Sequence, residues 1–156
     1  MALELTTAGI KVKYAFESSQ GVKPTSGFTA IPGIKSIPEF GGEPNALDCT
    51  PLDETVSHRY VMGLRDPGGV IGLTVNDYTT FRTAWSTMLT GLATAKGSGL
   101  AMWIEYAYPA GSGLDSFYFT ADATDILYGG ADVDEVLENV AYIVPTGTPQ
   151  FASASS

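Results

Sequence analysis

Apolar and polar residues alternate with a period of two along most of the chain. Ile10, Val12, Tyr14 and Phe16 alternate with Lys11, Lys13 and Glu17, the pattern of a strand with one buried face. Short strands are predicted over Phe28–Ile31 and Ile34–Ile37, split by Pro32-Gly33 and ended by Pro38, and over Leu47–Thr50. Val70–Val75 sets Ile71, Leu73 and Val75 against Gly72 and Thr74. Leu100–Tyr108 is apolar on both faces, as a central strand covered on both sides would be. Ser116–Ala121 puts Phe117 and Phe119 on one face. Val133–Val144 reads as one strand with Val136, Val140, Tyr142 and Val144 set against Glu135, Asn139 and Ala141.

One segment follows a different period. Phe81, Trp85, Met88, Leu89 and Leu92 form the apolar stripe of an amphipathic helix. The helix is predicted over about 77–95, with Asn76 or Asp77 as N-cap and Gly97 and Gly99 as the stop. The expected architecture is mainly β: a sandwich or barrel of about seven or eight strands with one flanking helix.

Two stretches do not fit a compact sandwich. Gly41–Gly69 is rich in Gly, Pro and charge, and a connection this long usually binds something or is disordered. Its apolar residues Leu52, Val56, Tyr60, Val61, Met62 and Leu64 argue against disorder. They fit a long hairpin, at about 47–69, that reaches out to bury them on a partner. Residues 146–156 are small and polar and read as a flexible tail behind a single domain over 1–145.

Composition sharpens this reading. With 44% hydrophobic and 16% charged residues, the 156-residue chain has the make-up of one folded domain. Eight Lys and Arg against seventeen Asp and Glu leave a net charge of −9. That charge excludes a conventional nucleic-acid binder and adhesion to an anionic membrane. Residues 101–156 hold eight acids and no Lys or Arg, so one anionic face is expected if that third forms adjacent strands. No N-terminal signal and no spanning apolar run is present, so a soluble protein folding in a reducing cytoplasm is the expectation.

The search for chemistry returns little. Cys49 and His58 are alone of their types, and Asp48 beside the thiol disfavours a thiolate nucleophile. One Cys and one His cannot supply a zinc site. Asp122, Asp125, Asp132, Asp134 and Glu135 lack the spacing and central glycine of a calcium loop and read as a solvated acidic face. The Gly pairs precede no Lys-Ser or Lys-Thr and are turn glycines. No carboxylate pair stands out for glycoside hydrolysis. Trp103, Tyr106, Tyr108, Phe117, Tyr118 and Phe119 could form a sugar platform, but such residues are more often core. No catalytic residue, metal ligand or cofactor is expected.

An ordered set of segments over roughly residues 8–145 resembles the major tail tube proteins of long-tailed, siphovirus-like bacteriophages. The resemblance is carried by Ala8-Gly9-Ile10-Lys11-Val12-Lys13-Tyr14-Ala15-Phe16-Glu17 and by 27–38 (GFTAIPGIKSIP). It continues through Leu52-Asp53-Glu54-Thr55, 60–69 (YVMGLRDPGG), the helix from Asn76 to Trp85, and Ala101-Met102-Trp103-Ile104-Glu105. It implies a β-sandwich tail tube fold with a flanking helix, joined edge to edge into six-fold rings. The rings stack into a virion tail tube, made in the host cytoplasm, through which DNA is ejected. It also implies that the long loop reaches the neighbouring ring. The candidate contact residues are Leu52, Asp53, Glu54, Val56, His58, Arg59, Tyr60, Met62, Leu64, Arg65 and Asp66. Expected partners are further copies of the chain and the tail tip, terminator and tape-measure proteins, with DNA only as transiting cargo and no membrane. Some members carry an immunoglobulin-like C-terminal domain, for which a chain ending at Ser156 leaves no room.

Such a conduit should not hold DNA, so the acids acquire a candidate role. Asp122, Asp125, Asp134, Glu135 and Glu138 are the candidate acidic lining of the lumen or of one face. The competing reading is a small, non-catalytic carbohydrate-binding β-sandwich module that uses its aromatics and stays monomeric or nearly so.

Overall fold

A computed structural model describes residues 4–41, 44–64, 69–109 and 111–155. Ten strands and one helix follow in the order β1 (Lys11–Phe16), β2 (Thr29–Ala30), β3 (Ile34–Ser36), β4 (Ala46–Asp48), β5 (Tyr60–Met62), β6 (Ile71–Asn76), α1 (Thr79–Gly97), β7 (Met102–Ala107), β8 (Ser116–Ala123), β9 (Glu138–Pro145) and β10 (Gln150–Ala152). Eight strands form one sheet in the order β2-β1-β7-β8-β9-β6-β3, with β10 also on β8; β4 and β5 pair only with each other. All the pairings are antiparallel. The mainly β expectation with a single helix holds. The second layer of the expected sandwich is not a separate sheet. One sheet curls into a half-barrel.

The curl follows from the chain. Its edge strands β2 and β3 are consecutive, with only Ile31, Pro32 and Gly33 between them. Three residues span about 10 Å, so the two ends of the sheet must come together. Ile31 N–H donates to the Val12 carbonyl on one edge, and Asn76 N–H donates to the Gly33 carbonyl on the other. Gly33 has φ of 80°, and a Cβ there would lie 2.7 Å from the Tyr78 ring, so the crossing requires glycine.

The inward faces carry the core: Val12 and Tyr14 of β1, Leu73 and Val75 of β6, Met102 and Ile104 of β7, Phe119 of β8, and Ala141 and Ile143 of β9. Helix α1 adds Phe81, Trp85, Met88 and Leu92, the stripe read from the sequence. Its start differs from expectation. Tyr78 is the N-cap and makes no side-chain cap bond. Asp77 instead accepts from Arg82, with Nη2 to Oδ2 at 2.7 Å, which holds its carboxyl below the usual range. Strand β7 is buried on both faces, as its two-sided apolar pattern predicts.

Two readings need correction. Val133–Val144 is a strand only from Glu138, and the buried residues are Asn139, Ala141 and Ile143. Val140, Tyr142 and Val144 occupy the other face, where Tyr142 and Val144 are exposed. The polar Asn139 is tolerated inside because its Nδ2 donates to the Leu127 carbonyl at 2.6 Å. The second correction concerns the stretch after Pro145, which contains β10 where its composition suggests a flexible tail. Both β9 and β10 run antiparallel to β8, and the intervening Thr146 returns to it through its N–H to the Thr120 carbonyl. Ser155 then bonds the buried carboxylate of Glu105.

Candidate functional site

The β4–β5 hairpin is built from the segment that looked too long for a compact domain. Ala46, Leu47 and Asp48 pair with Met62, Val61 and Tyr60. The ladder is extended by Cys49 N–H to the Arg59 carbonyl and Gly63 N–H to the Asn45 carbonyl. Asp48 Oδ1 accepts from both the amide and the hydroxyl of Thr50, which folds the chain into its tip. The Arg59 amide donates to Thr50 Oγ1 at 2.7 Å and closes the turn. Within the tip, Glu54 accepts from the amides of Val56 and Thr55 and pairs with Arg59 at 3.0 Å. The Val56 amide leads in holding the Glu54 carboxyl below its usual range, and Thr50 does so for Asp48. Asp48, Thr50, Glu54 and Arg59 thus find their side-chain partners within the hairpin itself.

Its apolar side chains have no such partners. Leu47, Leu52, Val56, Tyr60, Val61, Met62 and Leu64 are all exposed, Val56 by 89% and Leu64 by 94%. None belongs to the hydrophobic core. A lone two-stranded hairpin is at best marginally stable in water. An arm that exposes seven large apolar residues has the kind of surface that marks interaction sites in general.

The candidate contact residues Leu52, Asp53, Glu54, Val56, His58, Arg59, Tyr60 and Met62 are brought together on this arm, with Leu64 at its exit. Arg65 and Asp66 lie outside the described residues. His58 lies 3.6 Å from Asp48 and 3.4 Å from Thr50, while Cys49 is exposed and free. Among the described residues no group of His, Cys, Asp and Glu could hold a metal ion. No helix among them is long and apolar enough to cross a membrane.

The acids of the last third do not form one bare face. Glu105 is fully buried. Asp122 pairs with Lys96 at 3.1 Å, and Glu138 pairs with Lys35. Asp125, Asp132, Asp134 and Glu135 are exposed on the β8–β9 connection. Asp134 sits there at φ of 62°, a turn conformation that Asp tolerates. Leu127, Tyr128, Val133, Val136 and Leu137 are exposed on the same connection. The sequence reading missed this cluster by drawing half of it into a strand. Its signal was five large apolar residues set among acids, with no regular period.

The aromatics proposed as a sugar platform are mostly interior. Trp103, Tyr118 and Phe119 are buried, and Phe117 and Tyr106 are partly so. A third surface is an apolar groove of about 1000 Å³ at one mouth of the half-barrel, whose lining includes Tyr106, Phe117 and Phe151.

No protein family and no curated protein matches this sequence. Solved structures do share its fold. The chain superimposes on a chain of the six-fold symmetrised baseplate of the anti-feeding prophage, with TM-score 0.65 and 10% identity, over 100% of both chains. It also superimposes on a chain from the virion of a native gene transfer agent particle, with TM-score 0.60 and 11% identity, covering 96% of this chain and 100% of the other.

Proposed function

We propose that this protein is a non-enzymatic structural component of a phage-type tail, whose copies form hexameric rings that stack into a tail tube. One observation carries the reading. An arm outside the core exposes seven large apolar residues on a chain whose whole length shares the fold of a component of a six-fold baseplate. A ring satisfies both features, because edge-to-edge joining covers sheet edges and head-to-tail contacts close when the rotation allows. The arm then crosses to the next ring. Tip, terminator and tape-measure proteins are the further partners, and DNA passes through the tube on ejection.

The net charge of −9 suits a conduit, since like charge keeps DNA from adhering. In this reading Asp125, Asp134 and Glu135 supply the bare negative charge. Asp122 and Glu138 contribute less, because Lys96 and Lys35 offset them. Changing Asp125, Asp134 and Glu135 to Lys should slow DNA ejection severalfold while tails still assemble. Ejection at the normal rate in infection assays would remove the acids from this role. The carbohydrate-binding reading has lost its platform, since the aromatics it needs are largely interior.

The deciding experiment is sedimentation velocity with negative-stain microscopy across a range of concentrations. Rings or tubes of constant diameter are expected. A uniform monomer at every concentration would refute the tube.

A further inference from the structure

The outer face of the sheet holds a second, polar interior. Strands β7 and β8 turn Met102, Ile104 and Phe119 toward the core, which puts Glu105 and Tyr118 on the opposite face. Such a pair should be wet, yet both residues are fully buried. Two segments cover them. The chain before β2 lays Phe28 against the Tyr118 ring at 5.7 Å, with Lys23 Nζ 4.1 Å from the ring centre. The C-terminal segment supplies the rest. Ser155 donates to Glu105 through its amide and its hydroxyl, and the Ser153 carbonyl lies 2.7 Å from Tyr118 Oη.

The C-terminal cover has little else to hold it. No residue after Ile143 belongs to the hydrophobic core. Among the described strands β10 pairs with β8 alone, and Phe151 is 62% exposed. Its join to β9 breaks the ladder. From the Ala121–Pro145 pair to the Tyr118–Gln150 pair, β8 runs back three residues while the other chain advances five. The slack falls on Gly147, Thr148 and Pro149, and Pro149 has no N–H to give. Thr146, just ahead of them, is pinned to Thr120 by its amide to the carbonyl and by a 3.0 Å bond between the hydroxyls. The segment thus has a fixed root, a slack joint and a clasp at its far end.

We infer that residues 147–155 form a strap that opens and closes as one unit while the half-barrel stays folded, with the Glu105 carboxylate as its clasp. Segments with few buried apolar contacts open at a lower free energy than the whole domain. Opening breaks the β10 ladder and both Ser155 bonds. It leaves the Tyr118 ring under Phe28 and Lys23, and Lys13, directly across on β1, keeps a counter-charge beside the freed carboxylate. It also uncovers the edge of β8 at Ser116–Tyr118, because β9 pairs with that strand only at Ala121–Ala123. The strap is therefore an edge cover, and a very short strand is one of the ways in which sheets blunt an edge.

The opening needs no second copy, so it is measured on the dispersed full chain whether or not the tube forms. Hydrogen exchange read by mass spectrometry tests it. In wild type the C-terminal peptide from Gly147 should exchange about a hundredfold faster than β6 or more. Low urea should leave that rate unchanged and accelerate exchange in β6. Glu105→Gln should speed exchange of the C-terminal peptide about tenfold, the effect of weakening its charge-assisted bonds. Ser155→Ala, which keeps the carboxylate, should speed it severalfold, and it decides the matter if the Gln variant does not fold. In a Cys49→Ser background, the thiol of Ser116→Cys, beside Ala152, should react with dithionitrobenzoate at a rate that rises in step. A C-terminal peptide that exchanges only with β6, with the same urea dependence, would mean that the segment unfolds with the barrel and is no strap. Independent opening at an unchanged rate in both variants would remove Glu105 as the clasp and overturn the inference as well.

Discussion

A chain in which Leu47–Met62 is replaced by a short Gly-Ser linker keeps its thermal midpoint within a few degrees and no longer forms particles. The first half follows from where the stability lies. None of the seven exposed apolar residues of the hairpin region belongs to the core, and β4 and β5 pair with no other strand. Shortening a loop costs nothing in closure entropy and gains about 0.6 kcal/mol for each halving. The second half follows from the exposed apolar surface. Burying a side chain of the size of Leu, Val or Met contributes about 1.5–3 kcal/mol. Four such anchors give about 6–12 kcal/mol. Association itself costs about 4–15 kcal/mol, so one arm alone barely holds.

In the proposed stack of hexameric rings six arms would act between two rings, and after the first contact the others would dock at high effective concentration. Loss of the arm should therefore remove assembly altogether instead of weakening it by degrees. Sedimentation velocity and negative stain read the outcome. Truncated chains that still build particles of wild-type size would show that the arm does not join the copies.

The sequence disclosed some of these features and concealed others, for physical reasons. The helix was legible because Phe81, Trp85, Met88 and Leu92 repeat with one period and face one core. Strand β7 was legible because both of its faces are apolar. In β9 alternation separates two faces but does not say which points inward. The larger Val140, Tyr142 and Val144 suggested the wrong one, while small Ala141 and polar Asn139 fill the interior. The hairpin region and its outward reach could be read from its length and apolar content, but the register that pairs Ala46–Asp48 with Tyr60–Met62 needed the fold. The groove was not legible at all, since it gathers Ile10, Ile37, Phe117 and Phe151 from distant parts of the chain. The same is true of β10. Its three residues look like part of a flexible tail until the bonds from Ser155 to Glu105 are seen.

Those bonds define the second large effect. Changing Glu105 to Leu should lower folding stability by about 3 kcal/mol, and Glu105→Gln by about 1–3 kcal/mol. The Glu105 carboxylate is fully buried. It accepts from Tyr118 Oη at 2.7 Å, from Ser155 Oγ at 2.6 Å and from the Ser155 amide at 3.1 Å. Tyr118 Oη also lies 2.7 Å from the Ser153 carbonyl. Its single proton favours the charged oxygen, which makes the stronger bond. Lys13 sits directly across on β1, and Lys23 Nζ lies 4.1 Å from the centre of the Tyr118 ring. Leucine would strand the Ser155 and Tyr118 donors, and glutamine would turn an N–H₂ toward one of them.

The pH dependence separates this cluster from ordinary packing. Burial alone would raise the Glu105 pKa, but the bonds from Ser155 and Tyr118 outweigh it and hold the group below its ordinary 4.5. A depressed folded pKa gives stability that is present above the unfolded value and lost as pH falls through the folded one. Wild type should therefore lose more stability than Glu105→Gln as pH drops from 6 to below about 4. Glu17 and Asp77 are depressed too and contribute equally to both proteins, so the difference between the two curves reports Glu105. Urea midpoints taken across that range decide the matter. Parallel curves for the two proteins would mean that Glu105 is not a charged anchor for the C-terminal segment, and that β10 is held by its three-residue ladder on β8 alone.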